Sequence, residues 1–458
     1  MKLQFGGQEA DAMPVAVAGE LAAPNSKSRS TEQRWGTWFE ESLDLRAPEG
    51  DEFAYEILSQ IAAVDTRKRM RRRKDQYNHE VLVRRILANG IRGWAYRARP
   101  DIAYHRRSSA YAESVEWLSG DAMARTIDLL ADAGLVGEAR GVWGVSASTY
   151  WATPRLLDIA EAFGVDGQSI TQEMPSEALV RLREGNRDTP PLSIDWNDEN
   201  RLWQALLDEY NQFLLSHDVA LALSPNQEAE LVGRLNAYRR PETPVITKPE
   251  FFKTALYRQF NNGSFEQGGR LYGGWWINVP GDLRKSITIN GDATAELDYS
   301  GCAIRMLYHE RGIEYDGDPY LIEPIAAVAK NNDLPENYFR EAIKAMMQAL
   351  INGDHDGRPE MASMPLSFQP HLSRSQVRQM IEEQHSPIAD SFGSGAGSRL
   401  QRVDSDIALD VISELRKEGV LALPVHDSFL VQSNELDKLI NQMSECYLNK
   451  MKYYPVIK

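Results

Sequence analysis

The sequence predicts an α+β fold, and three segments lead to this class. Residues 119–133 carry apolar side chains at helical spacing, with Ser119 suited to an N-cap and Gly134 to a helix end. The segment ATAELDYSG is a short strand that ends at Asp298. The segment GVLALPVHDSFLVQS is an apolar run, a polar pair and a second apolar run, which is typical of a β-hairpin. Helices therefore occur together with antiparallel strands.

Composition limits the protein class. The chain has 458 residues, 42% of them apolar and 26% charged, which fits two or three domains with buried cores. Its two cysteines, Cys302 and Cys446, exclude a disulfide scaffold and a cysteine-based zinc site and suit a reducing cytoplasm. No apolar run reaches the roughly 18 residues of a membrane span, so no membrane partner is expected. Residues 1–30 are polar and rich in small residues, and we predict a flexible tail without a signal peptide.

Charge is distributed unevenly along the chain. The net charge is -15, yet residues 66–107 hold fourteen Lys or Arg residues and three acids. This basic segment suits a polyanion such as nucleic acid, and we expect Arg71, Arg72 and Arg73 to contact it. Trp94, Tyr96 and Tyr104 lie among the cations and are candidates for stacking on bases. The alternative is a solvated helix face or a localisation signal.

The part around residues 78–165 resembles a winged-helix domain of the kind found in bacterial regulators. A helix, the residues GLV, a strand-turn-strand with Gly141 and Gly144 at its bend, and a further helix follow one another. The resemblance implies that Asp121–Ala133 is a recognition helix and that Arg125 is its groove contact. The alternative is a winged helix that contacts protein.

Two carboxylates are the strongest candidates for chemistry. Asp298 and Asp427 lie at the end of a predicted strand and at the tip of the predicted hairpin. If these strands are neighbours in one sheet, both side chains can hold a pair of Mg²⁺ (or Mn²⁺) ions, which activate a 3′-hydroxyl and hold the departing pyrophosphate. Taken singly, an aspartate at a strand end is more often a helix cap.

Five short elements resemble, in order, those of family A DNA polymerases and single-subunit RNA polymerases. LDYSGCAIR is similar to motif A, which implies that Asp298 is a metal ligand and Arg305 the motif arginine. VHDSF is similar to motif C in its RNA polymerase form, which implies that Asp427 is the second metal ligand and His426 a nucleic-acid contact. The other three elements are GGRLYGGWWINVP with Arg270, REAIKAMMQALING with Arg340, Lys344 and Gly353, and SRLQRVDSDIALDVI with Gln401.

The resemblance implies a right-hand polymerase palm with an antiparallel sheet and helical fingers. Arg340 and Lys344 share one helix face and can bind a triphosphate together. Lys344 can also protonate the pyrophosphate leaving group. Arg270 and Gln401 are the expected contacts to primer or template, and Tyr299 is a further nucleotide-binding residue.

Two departures from the family concern the sugar. Where the DNA polymerases have a motif A glutamate that blocks a 2′-hydroxyl, this chain has Ala303. Eight residues after the motif B lysine, where both branches usually have an aromatic residue, it has Asn352. Without a bulky gate, ribonucleotides lose their steric penalty, so we expect weak sugar discrimination.

These observations divide the chain and define its candidate functions. Residues 31–165 form a basic, winged-helix-like nucleic-acid-binding region, 166–250 a helical, thumb-like connection, and 251–458 the palm and fingers. The leading hypothesis is a template-directed polymerase that binds nucleic acid and nucleoside triphosphates. The alternatives are a DNA-binding regulator or replication initiator with an idle palm, and a nucleotidyltransferase that needs no template.

Overall fold

The structure is a computed structural model. It describes residues 36–106, 117–142, 146–184, 192–237, 239, 243–353, 368 and 371–458. The predicted flexible tail, residues 1–30, lies outside these residues. Within them the fold is α+β, as the sequence predicts.

The N-terminal part forms its own hydrophobic core. Its elements are β1 (Thr37–Trp38), β2 (Leu43–Leu45), α1 (Glu49–Val64), α2 (Arg73–Tyr96), β3 (Ile102–Tyr104), α3 (Gly120–Asp132), β4 (Val136–Ala139), β5 (Ser148–Ala152) and α4 (Pro154–Ala162). The predicted helix is α3, and β4 and β5 are the two strands of the predicted strand-turn-strand, whose bend residue Gly144 lies outside the described residues. Ser119 caps α3, since its hydroxyl accepts the amide N–H of Ala122 at 3.1 Å. Strands β4 and β5 pair antiparallel, and β5 also pairs with β3, so the sheet order is β1-β3-β5-β4.

The connecting region is only partly helical, which corrects the sequence prediction for 166–250. It contains β6 (Ile170–Gln172), β7 (Val180–Leu182), α5 (Asp198–Leu215), β8 (Val219–Leu221) and α6 (Pro225–Ala237). The three strands join three different sheets: β6 pairs with β2, β7 with β9 (Tyr257–Asn261), and β8 with β11 (Ile287–Ile289). Strands of three residues are too short to show a strand pattern in the sequence. They can be identified only from their pairing with distant strands.

The remaining elements belong to a second, larger core. In chain order they are β10 (Ser264–Tyr272), α7 (Gly281–Arg284), β12 (Asp292–Asp298), α8 (Cys302–Glu310), α9 (Glu323–Asn331), α10 (Arg340–Asn352), α11 (Arg374–Gln384), α12 (Ala396–Lys417), β13 (Leu423–Val425), β14 (Ser428–Gln432) and α13 (Leu436–Met451). Five strands form one sheet in the order β13-β14-β12-β11-β8. The predicted hairpin is β13–β14, and its partner β12 is the strand that ends at Asp298.

Tight turns set the register of two further hairpins. Asn262 and Gly263 between β9 and β10, and Asn290 and Gly291 between β11 and β12, all have positive φ angles of 54° to 83°. Two successive left-handed residues of the Asn-Gly type match the right-handed twist of paired strands. These turns fix the register of β10 against β9 and of β12 against β11, and so the positions of their side chains in the two sheets.

An ion-pair cluster joins the N-terminal part to Glu250 and Lys253, which lie between α6 and β9. Arg92 of α2, 5% exposed, contacts Glu250 at 2.6 Å and Glu40 at 3.1 Å. Arg97 and Lys253 also contact Glu250, at 2.6 and 3.0 Å. Every charge in this buried cluster thus has an opposite neighbour, which is the condition for burying it.

The described helices include none that is both long and apolar enough to cross a lipid bilayer.

Candidate functional site

The two predicted carboxylates lie at neighbouring strand ends. Asp298, the last residue of β12, is paired in register with Ser428, the first residue of β14. Asp427 directly precedes Ser428 in the hairpin tip, and its carbonyl accepts the amide N–H of Tyr299 at 3.2 Å. Although 129 positions separate them in sequence, adjacent strands bring the two aspartates to one edge of the sheet.

The backbone around Asp298 is held on both sides. Opposite β14, the amide N–H of Asp298 donates to the carbonyl of Lys458 at 2.9 Å, and Lys458 donates back at 3.0 Å. Gly301 then turns the chain into α8 with φ of 62°, where a Cβ would approach Pro319 Cγ to 2.6 Å. Glycine is therefore needed at this turn, which sets the direction of α8 relative to Asp298.

A cleft of about 590 Å³ opens at this edge. It is lined by most of the residues that the sequence motifs single out: Arg270, Asp298, Tyr299, Ala303, Arg340, Lys344, Asn352, Gln401 and Asp427. It is also lined by polar residues that sequence reasoning missed: Asp318, Tyr320, Gln348, Asp404 and Lys458. The cleft thus collects charged groups from strands β10 and β12, helices α10 and α12, and the hairpin tip.

The carboxylates in the cleft repel one another. Burial raises the pKa of Asp298, and the charge of Asp427 raises it further, whereas Lys344 and Lys458 oppose the shift. Burial also raises the pKa of Asp404 to about 6, with Asp427 adding to the effect and Arg270 opposing it. Such crowding favours a cation at the site, because a positive charge offsets the repulsion.

Helix α10 supplies cations on one face. Arg340 is ion-paired with Asp318 at 2.6 Å and lies 5.3 Å from the ring centre of Tyr320. Lys344 lies on the same face, with its ammonium 6.0 Å from the same ring. No carboxylate in the described part of the chain lies within ion-pair distance of Lys344, so its charge is available to a ligand. Asp318 and Tyr320 belong to a loop without a recognised motif, so only the fold reveals them.

Arg270 is held at the cleft wall by an acid that the sequence analysis overlooked. Gly268 and Gly269 have φ angles of 78° and 82°, and the β10 register shifts there, so that Arg270 points toward α12. Its guanidinium is ion-paired with Asp404 at 2.6 Å. Asp404 lies three residues after Gln401 on α12, at helical spacing along the cleft wall. That spacing is the signal that could have identified it.

The residues linked to the sugar lie in different environments. Ala303 lines the cleft on α8, next to the turn at Gly301. The Asn352 amide donates to the carbonyl of Gln348 at 2.8 Å and lies against Gly397 of α12, where a Cβ would overlap it. Glycine at 397 thus lets α10 and α12 approach closely.

Three residues with expected substrate contacts are instead turned into the protein. The hydroxyl of Tyr299 donates to the carbonyl of Met443 at 2.7 Å inside the core, so its ring is not available to a nucleotide. Arg305 is 4% exposed and donates to the carbonyls of Ser300, Tyr315 and Gly317. It therefore fixes the loop after α8, and its donors are engaged within the protein, which does not support the expected nucleic-acid contact.

His426 is the third of these residues. It occupies the hairpin tip with φ of 60°, does not line the cleft, and contacts the ring of Tyr272 at 6.2 Å between centroids. Burial, with the nearby charges of Arg270 and Arg284, lowers its pKa to about 4, so the imidazole is neutral at pH 7. A neutral, half-buried ring outside the cleft lining does not support the nucleic-acid contact that the resemblance implies.

The basic segment is only partly a positive surface. Its second half is neutralised by the protein's own acids, in ion pairs of Arg84, Arg85, Arg92, Arg97, Arg99 and Arg106. Arg71 pairs with Asp65 at 3.1 Å, whereas Arg72 and Arg73 are exposed and have no ion-pair partner among the described residues. Of the aromatic residues, Tyr96 and Tyr104 are buried, and Trp94 is 52% exposed.

Helix α3 does not present a basic face. Arg125 is exposed but lies 3.9 Å from Asp121, and Asp132 is exposed on the same helix. Asp128 pairs with Arg106 at 3.1 Å. The expectation of a groove contact at Arg125 is therefore unsupported, because acids flank the only cation on this surface of α3.

A divalent metal fits the cleft with two protein carboxylates. Within the described residues no three His, Cys, Asp or Glu side chains form a group that could hold a metal ion on their own. Mg²⁺ usually keeps several waters and binds through one or two carboxylates and substrate phosphates. Burial raises the pKa of Asp298, and the charge of Asp427 raises it further; this repulsion between the two carboxylates supports such a cation here.

No protein-family model matches the chain, and no curated protein shows significant similarity to it.

Proposed function

We propose that the protein is a template-directed nucleic-acid polymerase that adds nucleotides to a 3′-hydroxyl. The observation that carries the proposal is the convergence in one cleft of Asp298 and Asp427 with Arg340 and Lys344. Two carboxylates on rigid strand ends and two cations on a facing helix are the arrangement that phosphoryl transfer from a triphosphate requires.

The residues have separate roles. Asp298 and Asp427 would hold Mg²⁺, which supplies charge neutralisation for the attacking and leaving oxygens. Arg340 and Lys344 bind the triphosphate from α10, and Lys344 donates a proton to the pyrophosphate as it leaves. Arg340 exchanges Asp318 for phosphate when the nucleotide enters, and Arg270, oriented by Asp404, binds the backbone of the primer end.

Ribonucleotides are accepted because the cleft wall is small beside Asp298. Ala303 is a methyl group at the position where a bulky side chain would exclude a 2′-hydroxyl. Asn352 lies against α12 at Gly397 and is smaller than the aromatic residue that the resemblance leads one to expect there.

The test is an extension assay on a labelled primer. Wild type is incubated with Mg²⁺ or Mn²⁺ and with each combination of template, primer and nucleotide sugar. We expect template-dependent extension with both dNTPs and NTPs, and none by Asp427→Ala. Extension without a template would support the untemplated transferase, and DNA binding without extension would support a regulator with an idle palm.

A single substitution tests the sugar proposal. Ala303→Glu restores bulk and charge at the cleft wall, so kcat/KM for NTPs should fall about 10- to 100-fold more than that for dNTPs. Ala342→Glu, outside the cleft lining on α10, is the control with the same change. If wild type rejects NTPs, weak sugar discrimination is wrong.

A further inference from the structure

The small sheet beside the cleft has two unlike faces. In strands β9 and β10, Arg258, Phe260 and Leu271 point into the core, where the Arg258 guanidinium contacts Asp406 of α12 at 2.5 Å. The alternate residues Tyr257, Gln259, Arg270 and Tyr272 are only half buried. One face therefore packs on the core, and the other carries half-buried polar and aromatic side chains.

Strand register aligns three polar side chains across the half-buried face. Arg270 of β10 is the Cα partner of Gln259 of β9, and Gln259 is the partner of Arg181 of β7. Neighbouring strands lie about 4.8 Å apart, so this row extends about 10 Å across the sheet. Tyr272 and Tyr257 form an adjacent pair, with ring centroids 6.1 Å apart.

Arg181 is held in a defined position at the outer end of the row. Its guanidinium lies 3.7 Å from the ring centre of Tyr257, and its Nε donates to the carbonyl of Ala178 at 3.0 Å. The amide oxygen of Gln259 accepts from Arg183 at 3.0 Å, which adds a second guanidinium beside the row. Burial lowers the pKa of Arg181 and the charge of Arg183 lowers it further, whereas Tyr257, Glu40 and Glu41 oppose the shift.

The row begins in the cleft itself. Arg270 lines the cleft and Tyr272 contacts His426, which directly precedes Asp427 at the hairpin tip. A nucleic-acid strand whose end lies at the two aspartates would thus meet this face as it leaves the site.

We propose that the half-buried face of β7, β9 and β10 binds the sugar-phosphate backbone of one strand of the primer–template duplex, with Arg181 and Gln259 as contacts. Guanidinium, amide and phenol groups donate hydrogen bonds, and phosphate oxygens accept them. The recognition is independent of sequence, because donors on a flat sheet face reach phosphates and not base edges. The proposal rests on the proposed function, since it takes the duplex to be the substrate of the cleft.

Binding of a fluorescent primer–template to the full chain, measured by anisotropy over a range of salt concentrations, tests this proposal. Arg181→Ala should weaken binding about tenfold for every sequence and reduce the slope of log K against log salt by about one. Arg181→Lys should keep the slope. Arg378→Ala, on exposed α11 and paired with Glu382, is the matched control and should bind as wild type does.

A second variant guards against a loss of folding at Arg181. Gln259→Glu keeps the acceptor for Arg183 and adds a negative charge in the middle of the row, so binding should again weaken. Unchanged affinity and slope in both variants would overturn the proposal.

Failure of the proposed function gives a different result. Asp427→Ala should bind the duplex normally without extending it. A wild type that binds but never extends would contradict polymerase activity, while the anisotropy comparison would still decide whether this face binds the backbone.

Discussion

Cations are concentrated in two regions, the cleft and the basic segment 66–107, and the two regions use them differently. In the cleft, Lys344 has no carboxylate within ion-pair distance in the described part of the chain, and carboxylates crowd one another. In the second half of the basic segment, each cation that the structure describes has an acid of the same protein beside it, as Arg92 has Glu250 at 2.6 Å. A high density of charge in sequence therefore did not produce a high density of charge on the surface.

The difference arises from where the partners lie. Glu250 is 158 residues from Arg92, so counting charges within a window cannot detect the pair. The cleft residues lie at strand ends or on one helix face, where local geometry decides their direction. Balanced charges stabilise the fold, whereas unbalanced ones are available for a ligand.

The largest expected effect is at the cleft. Asp298→Ala should lower the rate of Mg²⁺-dependent primer extension by more than about 1000-fold, because a carboxylate that holds the cation is lost. Asp292→Ala, at the other end of the same strand, should leave the rate within about twofold. Comparable losses in both variants would show that β12 matters for folding and not for chemistry.

The next effect concerns stability. Arg92→Ala removes the most buried cation of the cluster and leaves Glu250 and Glu40 with Arg97 and Lys253, so the free energy of unfolding should fall by about 3 kcal/mol in urea titrations. Arg72→Ala, on the exposed first half of the segment, should change it by less than about 0.5 kcal/mol. Equal effects would remove the distinction between structural and surface cations.

The effect of pH on stability should be smaller. The pKa of Asp404 is raised to about 6, so the folded protein takes up a proton that the unfolded chain releases near pH 4. The contribution of this carboxyl therefore lowers stability as pH rises from about 4 to about 6, by about 1–3 kcal/mol in total. Urea unfolding without divalent metal should show this slope in wild type and not in Asp404→Asn. An unchanged slope in the variant would assign the titration to another group.

The smallest expected effect concerns the exposed cations. Arg72→Ala with Arg73→Ala should weaken duplex binding a few-fold and reduce the salt slope by about two, without loss of stability. Arg84→Ala, in the neutralised half, should leave the slope unchanged. If Arg84→Ala reduces the salt slope as much as the change at Arg72 and Arg73 does, the ion-paired arginines of the second half also contact the duplex.

Much of the fold and of the cleft could be predicted where short patterns determine local geometry. The Ser119 cap, the hairpin β13–β14 and the strand ending at Asp298 are all present, and nine of the motif residues line one cleft. The Asn-Gly pairs at 262–263 and 290–291 are a further hairpin signal in the sequence.

The remainder depended on contacts between distant parts of the chain. Asp404 and Asp318 acquire their roles only through Arg270 and Arg340. Arg305 matches a family motif, yet three backbone carbonyls surround it, which no motif reveals. Strands β6, β7 and β8 were missed because each depends on a partner from another part of the chain.

The buried ion-pair cluster has a consequence for dissecting the molecule. The acid that Arg92 and Arg97 share is Glu250, which lies after the end of α6. An N-terminal fragment that stopped at residue 237 would retain two guanidinium groups in its interior and lose their shared counter-charge. Such a fragment should be poorly folded, and the intact chain should melt with both halves coupled in a single transition.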